Sequence, residues 1–252
     1  MEPFSVPDSD MIDTCEALST MIDVLQGLPS SPPSLYVDLE GDSLSRHGSI
    51  SLLQVYVMPR DHTYLVDIRT LGARAFSVPG AGGRTLKQIL ESPSIPKVFF
   101  DVRNDSDALY GHYGIDLSGV QDLQLMELAT RPSAGRRLVS GLSKCIEKDA
   151  PLTAAERLAW KAAKEKGVRL FAPERGGSYR VFDERPLSED IRLYCVQDVR
   201  FLPRLWSLYD ARLTPLWRQK VRDASAERIA LSQSAGFNGK GRHMALAPRG
   251  WY

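Results

Sequence analysis

Asp38 and Glu40 lie two residues apart in the run LYVDLEG (35–41). If that run is a strand, its two-residue period turns both carboxylates to the same face. Two like charges placed so closely repel each other and lose hydration, which calls for a cation as partner. Tyr194 and Asp198, four apart in the segment EDIRLYCVQDV, share one helix face about one turn apart. Asp105 follows the run KVFFDV and falls in the first turn of a helix, where an acid also complements the helix dipole. Each feature alone has an ordinary explanation. Acid-x-acid triplets recur at Asp8/Asp10, Asp105/Asp107 and Glu147/Asp149, and Tyr179/Asp183 repeats the Tyr-x-x-x-Asp spacing in a loop-like stretch that breaks at Pro186. An exposed strand end, a dipole-complementing acid and a core tyrosine would account for them singly.

The elements that would hold these side chains can be read from periodicity and punctuation. A first helix runs from about Thr14 to Gln26, with Asp13 as N-cap and Gly27 near its stop, and the Pro/Ser stretch LPSSPPS (28–34) follows. SLYVDLEG, ISLLQVYVM (50–58) and HTYLVDI (62–68) read as three strands separated by turn signals. LKQILESP is a short helix ended by Pro93, KVFFDV (97–102) is a buried strand, and Asn104 caps a helix to about Tyr113. Thr153 and Glu156 form a capping box for a helix ending before Gly167. A loop over 167–187 precedes a helix capped by Ser188, with Glu189 and Asp190 in its first turn. Strands followed by helices around a mixed sheet predict an α/β three-layer fold. The expected division is an N-terminal helix and linker (1–34), a central domain (35–215), and a C-terminal helix with a basic Gly-rich tail (216–252) packed on or trailing from it.

Composition narrows the function classes. The chain has 252 residues, 43% hydrophobic and 25% charged, enough for a large core without disulfide staples. Thirty-two basic against 31 acidic residues exclude a strongly basic coat protein and an acidic disordered chain. The balance is uneven along the chain, however: residues 1–45 carry acids and no Lys or Arg, whereas residues 201–252 are net basic, which suits either a solvated surface or a polyanion. Three cysteines, Cys15, Cys145 and Cys195, are widely spaced and form no C-x-x-C pair, which argues against a disulfide framework and a Cys-based zinc site and for an intracellular location, cytoplasm or nucleus. No secretory signal pattern and no long apolar run is present, so no membrane association is expected.

Taken in order, Asp-x-Glu on the first strand, an aspartate at a later strand-to-helix junction and Tyr-x-x-x-Asp on a late helix resemble the DEDD superfamily of 3′–5′ exonucleases, tyrosine subclass. The similarity is greatest to ribonuclease D-like and Egalitarian-like members. It is carried by LYVDLEG (35–41), ISLLQV (50–55), KVFFDVRNDSDAL (97–109), QDLQL (121–125) and RPLSEDIRLYCVQDVRFLPRLW (185–206), of which RPL followed by the Tyr-x-x-x-Asp-Val helix is the most specific. The resemblance implies a ribonuclease H-like three-layer fold with a central mixed β-sheet flanked by helices. It also implies a two-metal-ion hydrolysis of nucleic acid, RNA before DNA, from a free 3′ end to 5′-mononucleotides. By motif, Asp38, Glu40, Asp105 and Asp198 would hold two divalent cations, Mg²⁺ or Mn²⁺. Asp105 is chosen over Asp101 and Asp107 because it stands eight residues after Lys97, where the family carries its acid. Tyr194 would orient the attacking water or relay its proton, since a free phenol with a pKa near 10 is no ready-made base. Hard, oxygen-only ligands suit those cations better than zinc.

Two departures concern packing only: Phe182 stands where the family often has tryptophan before RPL, and CVQ follows the tyrosine where small residues are common. The alternative reading is a nuclease-like adaptor that binds RNA or a protein partner without cutting, as some Egalitarian-like relatives do. Nothing in the sequence identifies substrate-binding residues or an oligomeric state. The glycine-rich VPGAGGRT (78–85) lacks the ending of a phosphate loop and reads as a turn. His47, His62, His112 and His243 show no ligand spacing, and Lys161, Lys164 and Lys166 read as a solvated helix face that can also meet phosphate.

Overall fold

The computed structural model describes residues 8–252. Six strands form one mixed sheet: β1 (Ser9–Ile12), β2 (Leu35–Glu40), β3 (Leu52–Val57), β4 (His62–Asp67), β5 (Lys97–Phe99) and β6 (Val120–Asp122), in the order β1-β4-β3-β2-β5-β6. β2, β3 and β4 make the predicted antiparallel meander, and β5, β6 and β1 add in parallel at its two sides. The register places Asp38 opposite Gln54 and Glu40 opposite Leu52.

Among the described residues eleven α-helices accompany the sheet: α1 (Cys15–Val24), α2 (Ile68–Leu71), α3 (Arg74–Ser77), α4 (Leu86–Leu90), α5 (Arg103–Tyr113), α6 (Leu123–Thr130), α7 (Leu142–Asp149), α8 (Ala154–Phe171), α9 (Glu189–Arg200), α10 (Leu202–Asp210) and α11 (Pro215–Gln233). Strand alternation divides the core into two halves. Leu35, Val37 and Leu39 of β2 join Leu53, Val55 and Val57 of β3 against α1–α5. Tyr36, Tyr56 and Val98 point the other way, onto α6, α7, α10 and Trp160 of α8, while Leu52 and Leu65 meet α9. Because Asp38 and Glu40 share the parity of Tyr36, they emerge on the α8–α9 side. This is the expected three-layer α/β arrangement, and no described helix is long and apolar enough to cross a membrane.

Local differences from the sequence reading have physical causes. Thr14, not Asp13, caps α1, its side chain accepting from the Ala17 amide. The acidic N-terminal stretch, read without a strand, supplies β1, whose four residues pair along β4. Asn104 lies inside α5 and does not cap it; the preceding turn is held from outside, where Asp122 accepts the amides of Asp101 and Val102 at 3.1 and 3.3 Å. That support lets Asp101 adopt a left-handed backbone (φ 62°), which short polar residues tolerate best. The capping box at Thr153/Glu156 and the Ser188 cap form as expected. The helix they predicted to stop at Gly167 continues to Phe171. Gly167 is buried there, and a Cβ on it would sit 2.5 Å from the Tyr194 ring. The glycine admits the tyrosine instead of ending the helix.

Candidate active site

Three elements bring the acidic residues together. β2 ends with Asp38 and Glu40 on one face; α9 lies across that face and supplies Tyr194 and Asp198; α5 begins beside the strand end and carries Asp105 in its first turn. Asp38, Glu40 and Asp198 each offer an oxygen within 4.8 Å of the others. Asp105 stands just outside that triple yet close enough to repel Asp38, and its Oδ1 is buried without a hydrogen-bond partner among the described residues. Asp101 and Asp107, the other acids weighed for this position, are engaged elsewhere: Asp101 by Arg103 at 2.5 Å and Asp107 by Arg46.

The electrostatics are those of crowded, desolvated carboxylates. Burial, reinforced by Asp198, pushes Asp38 up to about 7. Burial followed by the charges of Asp38 and Asp198 holds Glu40 well above the usual carboxylate range, and burial with Asp38 does the same for Asp105. Burial and the same carboxylates raise Tyr194, so its phenol stays protonated at neutral pH. Such a group of oxygens takes up protons or cations to relieve its charge.

One cation is already supplied by the chain. Lys164 of α8 reaches both Asp198 oxygens at 2.9 and 2.8 Å and the Tyr194 hydroxyl at 3.1 Å, its ammonium lying 4.2 Å from the tyrosine ring centre. Sequence reasoning placed Lys164 with Lys161 and Lys166 on a solvated face. Those two do form surface pairs, with Glu147 and Asp190. The missed signal was spacing: Trp160, Lys164, Gly167 and Phe171 recur at helical intervals along the inward stripe of α8, so Lys164 had to point inward.

The donor set fits hard divalent cations. Four carboxylates supply only oxygen ligands, one of them with an orphaned buried oxygen, and a single lysine cannot balance them. Asp38, Glu40 and Asp198 line a cleft of about 560 Å³ whose far wall is Phe100 and the start of α7, Gly141 to Lys144. Hollows under the C-terminal tail and beside α11 contain none of these residues.

A six-stranded mixed sheet with an acid cluster at its central strand end defines a recognisable class. A family model described as 3′-5′ exonuclease matches residues 9–209, and the chain belongs to that family, whose members are phosphodiester hydrolases. Among individual proteins, the chain is 42% identical over 94 residues to the piRNA biogenesis protein EXD1 of Mus musculus, which covers 37% of this chain and 15% of that one. The human EXD1 match has the same identity and length. The fold is similar to RNase D of Trypanosoma brucei in its GMP complex (TM-score 0.77, 23% identity, 97% of this chain and 70% of that chain). It is also similar to Escherichia coli RNase D (TM-score 0.59, 20% identity, 90% of this chain and 51% of that chain).

Proposed function

We propose that this chain is a metal-dependent 3′–5′ exonuclease that shortens RNA, in preference to DNA, to 5′-mononucleotides. The observation that carries the reading is the gathering of Asp38, Glu40 and Asp198 within 4.8 Å in an open cleft, with Asp105 close by and, among the described residues, no arginine to neutralise them. Asp38, Glu40, Asp105 and Asp198 would hold two Mg²⁺ or Mn²⁺ ions. When bound, the ions supply a lowered pKa for the attacking water and neutralisation of the phosphate and leaving oxygen. The chain's own residues do the rest. The protonated Tyr194 phenol donates a hydrogen bond and orients the water; it does not remove its proton. Lys164, once Asp198 is shared with cations, is free to turn its ammonium toward the scissile phosphate. Phe100, on the cleft wall, offers a ring against which a terminal base can lie.

The preference for RNA is supported by the Trypanosoma RNase D structure solved with RNA U12 and by the EXD1 relatives named for piRNA biogenesis. The test is incubation of the purified chain with 3′-ended RNA, DNA and hybrid strands in Mn²⁺ or Mg²⁺, beside an Asp38→Asn control. A mononucleotide ladder absent from the control and suppressed by a blocked 3′ end supports the reading. Binding without a ladder in any metal replaces it with the adaptor reading.

A further inference from the structure

Two segments about a hundred residues apart in sequence are joined beside the cleft. Residues 137–139, which lead into α7, pair with the C-terminal tail: the Val139 amide donates to the Ala245 carbonyl at 2.9 Å and the Ala247 amide to the Arg137 carbonyl at 3.2 Å. The tail is anchored further by Arg103, which donates to the Met244 carbonyl at 2.8 Å, and by Trp251, buried with its ring centre 5.1 Å from Trp217. The tail therefore packs over the domain. Neither segment contains an acid: residues 132–146 have none, and none occurs after Glu227. Arg137, Lys144, Lys240, Arg242 and Arg249 are all exposed, and among the described residues none of these five forms an ion pair with a carboxylate.

The resulting band reaches the cleft at one point and comes close to Asp105 at another. Lys144 forms part of the cleft wall, and Gly239 lies against the side chain of Asn104, the neighbour of Asp105. The acids behind the band are already spent, Asp101 on Arg103 and Asp122 on Arg228, which leaves Glu227 as the one acid bordering the hollow beneath the tail. A row of exposed cations without local counter-charge is matched by a polyanion, whose bound counterions are released on contact.

We propose that this band, built from residues 137–144 and the tail, holds the phosphate backbone of a single-stranded nucleic acid upstream of the 3′ end in the cleft. The inference rests on the nuclease reading for its direction but not for its test. The probe is a fluorescent 20-nucleotide single strand with a blocked 3′ end, measured by anisotropy in EDTA across a salt series. Against the unaltered chain, the combined Arg137→Glu, Lys240→Glu, Arg242→Glu variant is expected to bind at least about ten-fold more weakly. Its log–log salt slope should be shallower by about 2, since each lost single-strand phosphate contact removes about 0.7. The corresponding triple Gln variant should show a smaller loss of the same sign, and both should keep the parent melting temperature because the three side chains are exposed. Unchanged affinity and slope in both variants overturn the proposal. So does loss of binding to poly-glutamate with oligonucleotide binding intact, which would make the band a docking surface for an acidic protein. Because no cleavage is read, a chain that binds through the band yet cuts nothing sinks the exonuclease reading and leaves this one standing.

Discussion

Buried and half-buried carboxylates occur in two kinds of surroundings in this molecule. Away from the cleft each has its own arginine: Asp122 meets Arg228 at 2.6 Å, Asp67 meets Arg185 at 2.6 and 2.7 Å, Asp107 meets Arg46, and Glu127 meets Arg131. Burial alone would raise Asp67, but the Arg185 and Thr70 hydrogen bonds overcome it and hold the group below its ordinary value. In the acid cluster, Asp38, Glu40 and Asp105 have no arginine partner among the described residues, Lys164 serves Asp198, and burial moves all three upward. The same side chain in the same fold is thus a fastener in one place and a source of strain in the other. An ion pair completed within the chain favours the folded state, whereas an incomplete one stores affinity for something from outside.

Charge removal should therefore act in opposite directions in the two regions. Asp38→Asn should lower the cleavage rate on the order of a thousand-fold, from the loss of several kcal/mol of metal-borne charge stabilisation at tenfold per 1.4 kcal/mol. The same change should raise the metal-free melting temperature, because a repelling charge is gone, and should reduce the further rise that Mn²⁺ gives the parent chain. A variant that melts lower than the parent in EDTA would break the comparison on this side. In the other region, Asp122→Ala should destabilise by about 3–5 kcal/mol in urea unfolding, since it leaves Arg228 buried without its partner. A loss under about 1 kcal/mol would mean that the pair contributes little.

Smaller changes sharpen the contrast. Gly167→Ala gains about 1 kcal/mol of helix propensity, but overpacking against Tyr194 should cost about 1–3 kcal/mol, so the variant should be less stable and slower; a more stable variant would show that the ring can move. Lys164→Gln should weaken substrate binding and turnover about ten-fold, the range of one charge-assisted contact, while Mn²⁺ binding, read by thermal shift, stays or strengthens because a competitor for Asp198 is gone.

The smallest effect concerns Lys97, fully buried with only the Ile89 and Ser92 carbonyls as acceptors, at 3.0 and 2.7 Å. Burial lowers it to about 7, below its unfolded value of 10.5. The folded state then binds fewer protons than the unfolded one between those values, so stability rises with pH above 7 and is least where both states are charged. Melting temperature should climb from pH 7 to pH 9, and Lys97→Met should flatten that climb.

What could be read from the sequence was whatever is expressed locally. The alternation of β2, the cap at Ser188 and the spacing of Tyr194 and Asp198 each lie within one element, and the fold brings three of the acids they carry, Asp38, Glu40 and Asp198, within reach of one another. What escaped was set by partners distant in the chain. β1 has too few residues to signal a strand before it meets β4, Asn104 lost its expected capping place because Asp122 holds the turn, and Gly167 ended no helix because the aromatic ring of Tyr194 needed the space. Lys164 was overlooked among other lysines because charge suggested solvent more strongly than its place on an apolar stripe suggested the interior. The tail's docking depends on pairing between residues 137–139 and 245–247, which no local pattern announces.

Asp122 links the last long helix to chemistry it never touches. Its one carboxylate accepts from Arg228 on α11, starts α6 through the Gln124 amide, and fixes the two amides that precede α5. Asp105 sits three residues beyond the second of those amides. A shift of α11, whether by a neighbouring molecule leaning on it or by a change in its own packing, would thus be transmitted across two hydrogen-bonded steps and felt as a tilt of Asp105 beside the acid cluster.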